Sequence, residues 1–192
     1  MRKVLTNVLL SLLLLGTMGL IATLLRPVQE ASISNMQAVR NQGNLELSFS
    51  VEDSFSPKME EAILSGVPTT FRFRVILQRK KKFPFLRKAL LDIVLEHTIK
   101  YDRLKDRFRI RLPEQSESEV LVKDFEEAKA VMSTVRNLRV IPLWRLSESG
   151  SYQLLVKAEL SKFHLPLFFR YILFFISLWD FETDWVHMSI DL

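Results

Sequence analysis

The chain has 192 residues and a mass of 22.4 kDa; 48% of its residues are hydrophobic, 26% are charged, and the formal net charge is +5. So many apolar residues exclude wholesale disorder, and the length suits one domain with appendages. The lack of cysteine excludes disulfides, thiolate metal sites, a cysteine nucleophile and a lipidated N-terminal cysteine, and the five glycines form no phosphate-cradling loop.

After Met1, Arg2 and Lys3, the stretch Val4 to Leu25 carries no charge and includes Leu12-Leu13-Leu14-Leu15. As a helix rising about 1.5 Å per residue it spans about 33 Å, enough for a hydrocarbon core of about 30 Å. The exit, Thr23-Leu24-Leu25-Arg26-Pro27, lacks the small-x-small pattern of a cleavage site. Residues 1–26 therefore read as an N-terminal transmembrane helix, a membrane anchor or uncleaved signal, in preference to a cleaved signal peptide; both readings put the domain outside the cytoplasm. Arg2 and Lys3 keep its start in the cytoplasm and send residues 27–192 across. Removing Arg2, Lys3 and Arg26 lowers the net charge from +5 to +2. On the far side of a membrane, nucleic acid is not an expected partner. Anionic lipid or an acidic protein surface takes its place.

Ala31 to Arg40 and Asn44 to Glu52 flank Asn41-Gln42-Gly43, a glycine-containing hairpin connection. Leu45, Leu47, Phe49 and Val51 share one face of the second arm. Ser56-Pro57 opens a short helix, with Ser56 as N-cap, a stripe of Met59, Ala62 and Ile63, and a stop at Gly66. Thr69 to Arg79 is the clearest strand, with Phe71, Phe73, Val75 and Leu77 alternating against Arg72 and Arg74. Leu91 to Tyr101 alternates again. The link Asp102 to Asp106 then returns the chain into Phe108, Ile110 and Leu112, with Arg107, Arg109 and Arg111 outward.

Pro113 to Glu119 reads as an acidic loop, and Asp124 caps a second helix with Phe125, Ala128, Met132 and Val135 on its buried face. Leu138 to Leu146 reads as an edge strand interrupted by Pro142. Ser149-Gly150 turns into a strand from Tyr152 to Leu160. The expected fold is mainly β: an antiparallel β-sandwich-like domain, or α+β, with two short helices behind the N-terminal transmembrane helix.

Residues 165–179 hold a single charge, Arg170, among aromatic and aliphatic side chains. The segment is short for a span. It reads either as core or as a stretch apposed to the membrane with Arg170 snorkelling outward. Trp179 to Trp185 follows as the expected last strand, with aromatics on one face and Asp180, Glu182 and Asp184 on the other.

Two kinds of basic feature remain. The rows Arg72/Arg74 and Arg107/Arg109/Arg111 read as the solvated face of a sheet, matched partly by Asp180, Glu182 and Asp184; their functional reading is a surface for anionic lipid or an acidic partner. The sharper candidate surface for a membrane or partner is Lys80, Lys81 and Lys82 with Phe83 and Phe85, joined by Arg170, Tyr171 and Trp179. His97, His164 and His187 lack ligand spacing, and His97 reads as a hydrogen-bonded boundary residue. No nucleophile elbow or nucleotide-binding glycine pattern occurs. No cofactor, metal or catalytic residue is assigned, and an enzyme is not expected.

Phe55-Ser56-Pro57, the stretch Leu64-Ser65-Gly66-Val67-Pro68-Thr69-Thr70-Phe71, the turn Tyr101-Asp102-x-Leu104 and Leu165-Pro166 together resemble a bacterial family, the domain of unknown function numbered 4390. The resemblance covers most of residues 31–190 and includes the apolar leader. It implies a bacterial envelope protein, anchored by a single pass in the inner membrane with most of the chain in the periplasm, and supplies no reaction or ligand. It also suggests a partner, a membrane sensor kinase of the nitrogen-regulation type, encoded nearby. The expected function is an interaction module that binds an envelope protein; the alternative is a protein of the membrane surface.

Overall fold

A computed structural model describes residues 30–80, 89–115, 119–147, 150–161 and 181–191. The expected helix over residues 4–25 and the segment 165–179 lie outside them. The described part is mainly β, with antiparallel sheets and two α-helices, as the alternating patterns require.

The chain opens with a hairpin of β1 (Ser32–Asn41) and β2 (Asn44–Glu52). Its connection is the two residues Gln42 and Gly43, both with positive φ (47° and 77°), the geometry whose twist matches paired strands. Helix α1 (Pro57–Leu64) follows. Ser56 Oγ accepts from the Met59 N–H at 3.3 Å, and Pro57 occupies the first turn where no donor is needed. Gly66, at φ 89°, ends it: its N–H reaches the Ile63 carbonyl at 2.8 Å, and that of Val67 reaches Ala62 at 3.0 Å.

Strands β3 (Thr69–Arg79), β4 (Ala89–Asp102), β5 (Arg107–Arg111) and β6 (Glu119–Val122) form a continuous meander. Helix α2 (Phe125–Met132), capped by Asp124 through the Glu127 N–H at 2.8 Å, leads to β7 (Thr134–Pro142), which pairs with β2. A 3-10 turn at Leu143–Arg145 precedes β8 (Ser151–Leu160), which pairs with β3, and β9 (Val186–Asp191) closes the chain beside β8. The two sheets run β1-β2-β7 and β6-β5-β4-β3-β8-β9.

One core serves both sheets. Phe49 of β2 meets Phe73 of β3 edge-on, with ring centroids 5.7 Å apart. Leu45, Leu47, Phe71, Phe73, Leu77, Ile99 and Ile110 are buried around that contact. Each such side chain contributes about 1.5–3 kcal/mol by leaving water. Lys129 ties the helices together at one end, donating to Glu60 and lying 5.2 Å over the Phe125 ring.

Several expectations need correction. Residues 119–122, left between loop and helix, form strand β6. Strand β7 starts at Thr134 and ends at Pro142, because Asn137 at φ 51° breaks the alternation over its first half and a 3-10 turn takes up the last residues. Val135 therefore packs from β7 and not from α2.

The last regular strand is Val186–Asp191, not Trp179 to Trp185. Residues 181–185 do run beside β8, but Glu182 makes only an isolated bridge to Glu159, and the buried Thr183 hydroxyl accepts from the Ala158 N–H at 3.0 Å. Phe181 turns inward against Phe71, whereas Trp185 turns outward, so the expected segregation of aromatics from acids fails at Trp185. Lastly, His97 is not a boundary residue. It is wholly buried.

Candidate interaction surface

The inner face of the six-stranded sheet is core. Its outer face carries the two arginine rows, which adjacent strands treat differently.

Arg72 and Arg74 project from β3 between β4 and β8. Register places Glu96 opposite Arg72 on one side and Glu159 on the other. Arg72 donates to Glu96 Oε1 from Nε at 3.0 Å and Nη2 at 2.9 Å, and its Nη1 lies 3.5 Å from Glu159. Arg74 grips Asp92 with two bonds, of 3.0 and 2.6 Å. That hydrogen bond holds the Asp92 carboxyl below the usual carboxylate range and raises the Arg74 guanidinium above its ordinary value. Lys157 of β8 reaches Glu182 and lies 5.7 Å over the Trp185 ring. Arg72, Arg74, Asp92, Val94, Lys157 and Trp185 line a shallow trough of about 540 Å³ with Glu96 and Glu159. The expected counter-charges were Asp180, Glu182 and Asp184. The structure supplies Glu96, Asp92 and Glu159 instead, and Glu182 serves Lys157.

The second row, on β5, has little compensation. Lys100 stands opposite Arg109, Thr98 opposite Arg111 and Asp102 opposite Arg107. Asp102 is engaged as a turn cap, accepting from the Leu104 and Lys105 N–H groups. Among the described residues Arg109 has only Glu119, at the outer limit of 4.0 Å, and Glu119 stands directly opposite Arg111. Leu121 of β6 lies beside Arg109 with 55% of its surface exposed. Like charges placed directly across a strand pair are destabilising, so the Lys100–Arg109 placement costs the sheet stability.

On the inner side of β4, His97 makes the one buried ionisable contact of that strand. Its Nδ1 lies 2.9 Å from the Met132 carbonyl and its Nε2 3.0 Å from Glu114 Oε1; the Glu114 side chain is only 2% exposed. A carbonyl oxygen only accepts, so Nδ1 carries a proton. The Nε2–Oε1 contact then holds a second proton between ring and carboxyl. The pair is neutral as a unit and ties β4, the end of α2 and the loop after β5 together. Glu114 Oε2 has no hydrogen-bond partner among the described residues. A cleft of about 780 Å³ lies nearby, lined by Glu46, Glu114, Gln115, Arg136, Asn137 and Arg139.

Of the sharper candidate surface for a membrane or partner, Lys80 is described. It is exposed, and its N–H pairs with the Ser151 carbonyl at 2.9 Å. Lys81, Lys82, Phe83, Phe85, Arg170, Tyr171 and Trp179 lie outside the described residues. Sequence reasoning missed Trp185 as an outer-face residue and Glu114 as a buried one. It also had no means to separate the two arginine rows, since their neutralisation depends on which strand lies alongside.

A family model described as Domain of unknown function (DUF4390) matches residues 28–189. The chain belongs to this family. The match runs from just before β1 into β9, so the DUF4390 domain contains both sheets, both helices and both arginine rows. No curated protein and no solved structure matches the chain. Among the described residues, no helix of this DUF4390 protein is long and apolar enough to cross a membrane, and no group of three or more metal-ligating side chains occurs.

Proposed function

We propose that this DUF4390 protein is a membrane-anchored extracytoplasmic interaction module without enzymatic activity. Residues 1–26 hold it to the inner membrane by a single pass, and a sandwich-like domain in the periplasm binds another envelope protein, in the family context a membrane sensor kinase. One observation carries the reading: among the described residues, the outer face of the six-stranded sheet stands uncovered. Val94 is 56% exposed at its centre, among side chains held in fixed ion pairs. Exposed apolar groups among oriented charges provide shape and charge for recognising a protein surface. His97 is occupied in a structural pair with Glu114.

A membrane-surface role is the second reading. It draws on Lys80, exposed at the root of the β3–β4 connection that continues through Lys81, Lys82, Phe83 and Phe85. Cross-linking the full-length protein in intact cells, followed by purification under denaturing conditions, separates the two. A single dominant envelope protein attached to the chain supports the module. Lipid adducts at residues 80–86 or 165–179 without a protein partner favour the membrane-surface role.

A further inference from the structure

We infer that the β4–β6 half of the outer face is the contact surface for an acidic segment of the partner protein. This rests on the interaction-module reading and names the chemistry of the partner. Lys100, Arg107, Arg109 and Arg111 occupy adjacent positions on two paired strands; among the described residues their acidic neighbours are Glu119, opposite Arg111 and 4.0 Å from Arg109, and the turn-capping Asp102 opposite Arg107. Arg72 and Arg74, one or two strands away on the same face, are fully paired. A fold that neutralises one row and sets four bases against two acids in the next presents a net charge that an outside group can satisfy.

The complement is a set of carboxylates, since planar guanidinium groups bind carboxylates through two parallel hydrogen bonds. Exposed Leu121 beside Arg109 adds an apolar contact, so the complementary segment carries acidic residues together with an apolar one. A protein fits this better than an anionic bilayer. The adjoining half is neutralised by its own acids, so the unmatched charge is confined to two strands with Glu119 among them, a strip that suits one segment of a protein rather than an extended membrane plane.

The test places a photo-cross-linking residue at position 121 of the full-length protein in its native membranes and maps the captured peptide. Three backgrounds are compared: wild type, Arg109→Glu with Arg111→Glu, and the charge-matched control Arg136→Glu with Arg139→Glu on the other sheet. The expected result is capture through one segment rich in Asp and Glu. The β5 reversal should lower the yield about tenfold or more, and the β7 control should leave it unchanged. Capture of the same partner with undiminished yield in the β5 reversal overturns the inference while leaving the interaction module standing. The purified protein is also mixed with vesicles of phosphatidylglycerol and phosphatidylethanolamine. Binding that depends on Arg109 and Arg111, with no protein captured in cells, overturns both.

Discussion

Lys100 of β4 and Arg109 of β5 face each other directly across a strand pair, both exposed and both basic. On the adjoining strand pair, β3–β4, the same face sets Arg74 against Asp92 in a two-bond grip. The contrast separates a row that holds the sheet together from a row that strains it. It predicts that Arg109→Gln raises the urea midpoint of the full-length protein in detergent, because it relieves repulsion and removes no strong pair. Arg74→Gln should lower it.

Low pH provides a second check on the paired row. Asp92 sits below the ordinary carboxylate range because Arg74 bonds it. Its stabilising contribution is therefore fully present above the unfolded carboxylate pKa and fades only as pH falls through the lower folded value. Titration of the Asp92 side-chain carbon by NMR should give a midpoint below the ordinary carboxylate range. In Arg74→Gln the Asp92 midpoint should return upward.

The buried pair makes distinct predictions for its two members. His97→Ala strands the Glu114 carboxyl in the core and should cost about 3–5 kcal/mol of stability. Glu114→Gln should cost about 1 kcal/mol or less, since the amide donates to Nε2 while Nδ1–H still reaches the Met132 carbonyl. Urea unfolding measures both. Equal losses would contradict the shared-proton arrangement.

Gly150 is required by close approach. A Cβ there would come within 2.5 Å of the Tyr152 ring, whose hydroxyl accepts from the Ser147 N–H at 2.8 Å. Gly150→Ala must displace a buried tyrosine and should cost about 1–3 kcal/mol. Tyr152→Phe, which loses only the hydrogen bond and leaves the Ser147 N–H to find another acceptor, should cost about 1 kcal/mol.

Thr183 holds the irregular approach to β9 by accepting from the Ala158 N–H and burying its side chain. Thr183→Val keeps the shape but leaves that N–H unpaired, at about 1–3 kcal/mol. Amide exchange at Ala158 should quicken, while exchange at Val156, which pairs through regular strand register, should hold.

Much of this was legible in the sequence, because caps and alternation are local. Ser56, Pro57 and Gly66 bounded α1, and Phe71 to Leu77 marked β3 without help from the rest of the chain. What escaped depended on partners distant in sequence. Four residues, Glu119 to Val122, are too few to display a period, and they form a strand only because β5 lies alongside. Asn137 in a left-handed conformation hid the first half of β7. The shift of face between Thr183 and Trp185 is set by the Thr183 hydroxyl, which a strict alternation rule does not foresee. Glu114 looked like one more acid in a polar loop; only the fold brings it to His97.

The central claim is that a protein covers the open face of the six-stranded sheet in the cell. Hydroxyl-radical labelling of intact cells and of the purified full-length protein in detergent tests it directly. Trp185 and Leu121 report on that face, and Trp144, which is 81% exposed in the 3-10 turn after β7, is the internal reference. The account predicts that Trp185 and Leu121 are protected in cells relative to purified protein, with Trp144 labelled alike in both. Equal labelling of all three residues in cells and in detergent would contradict it.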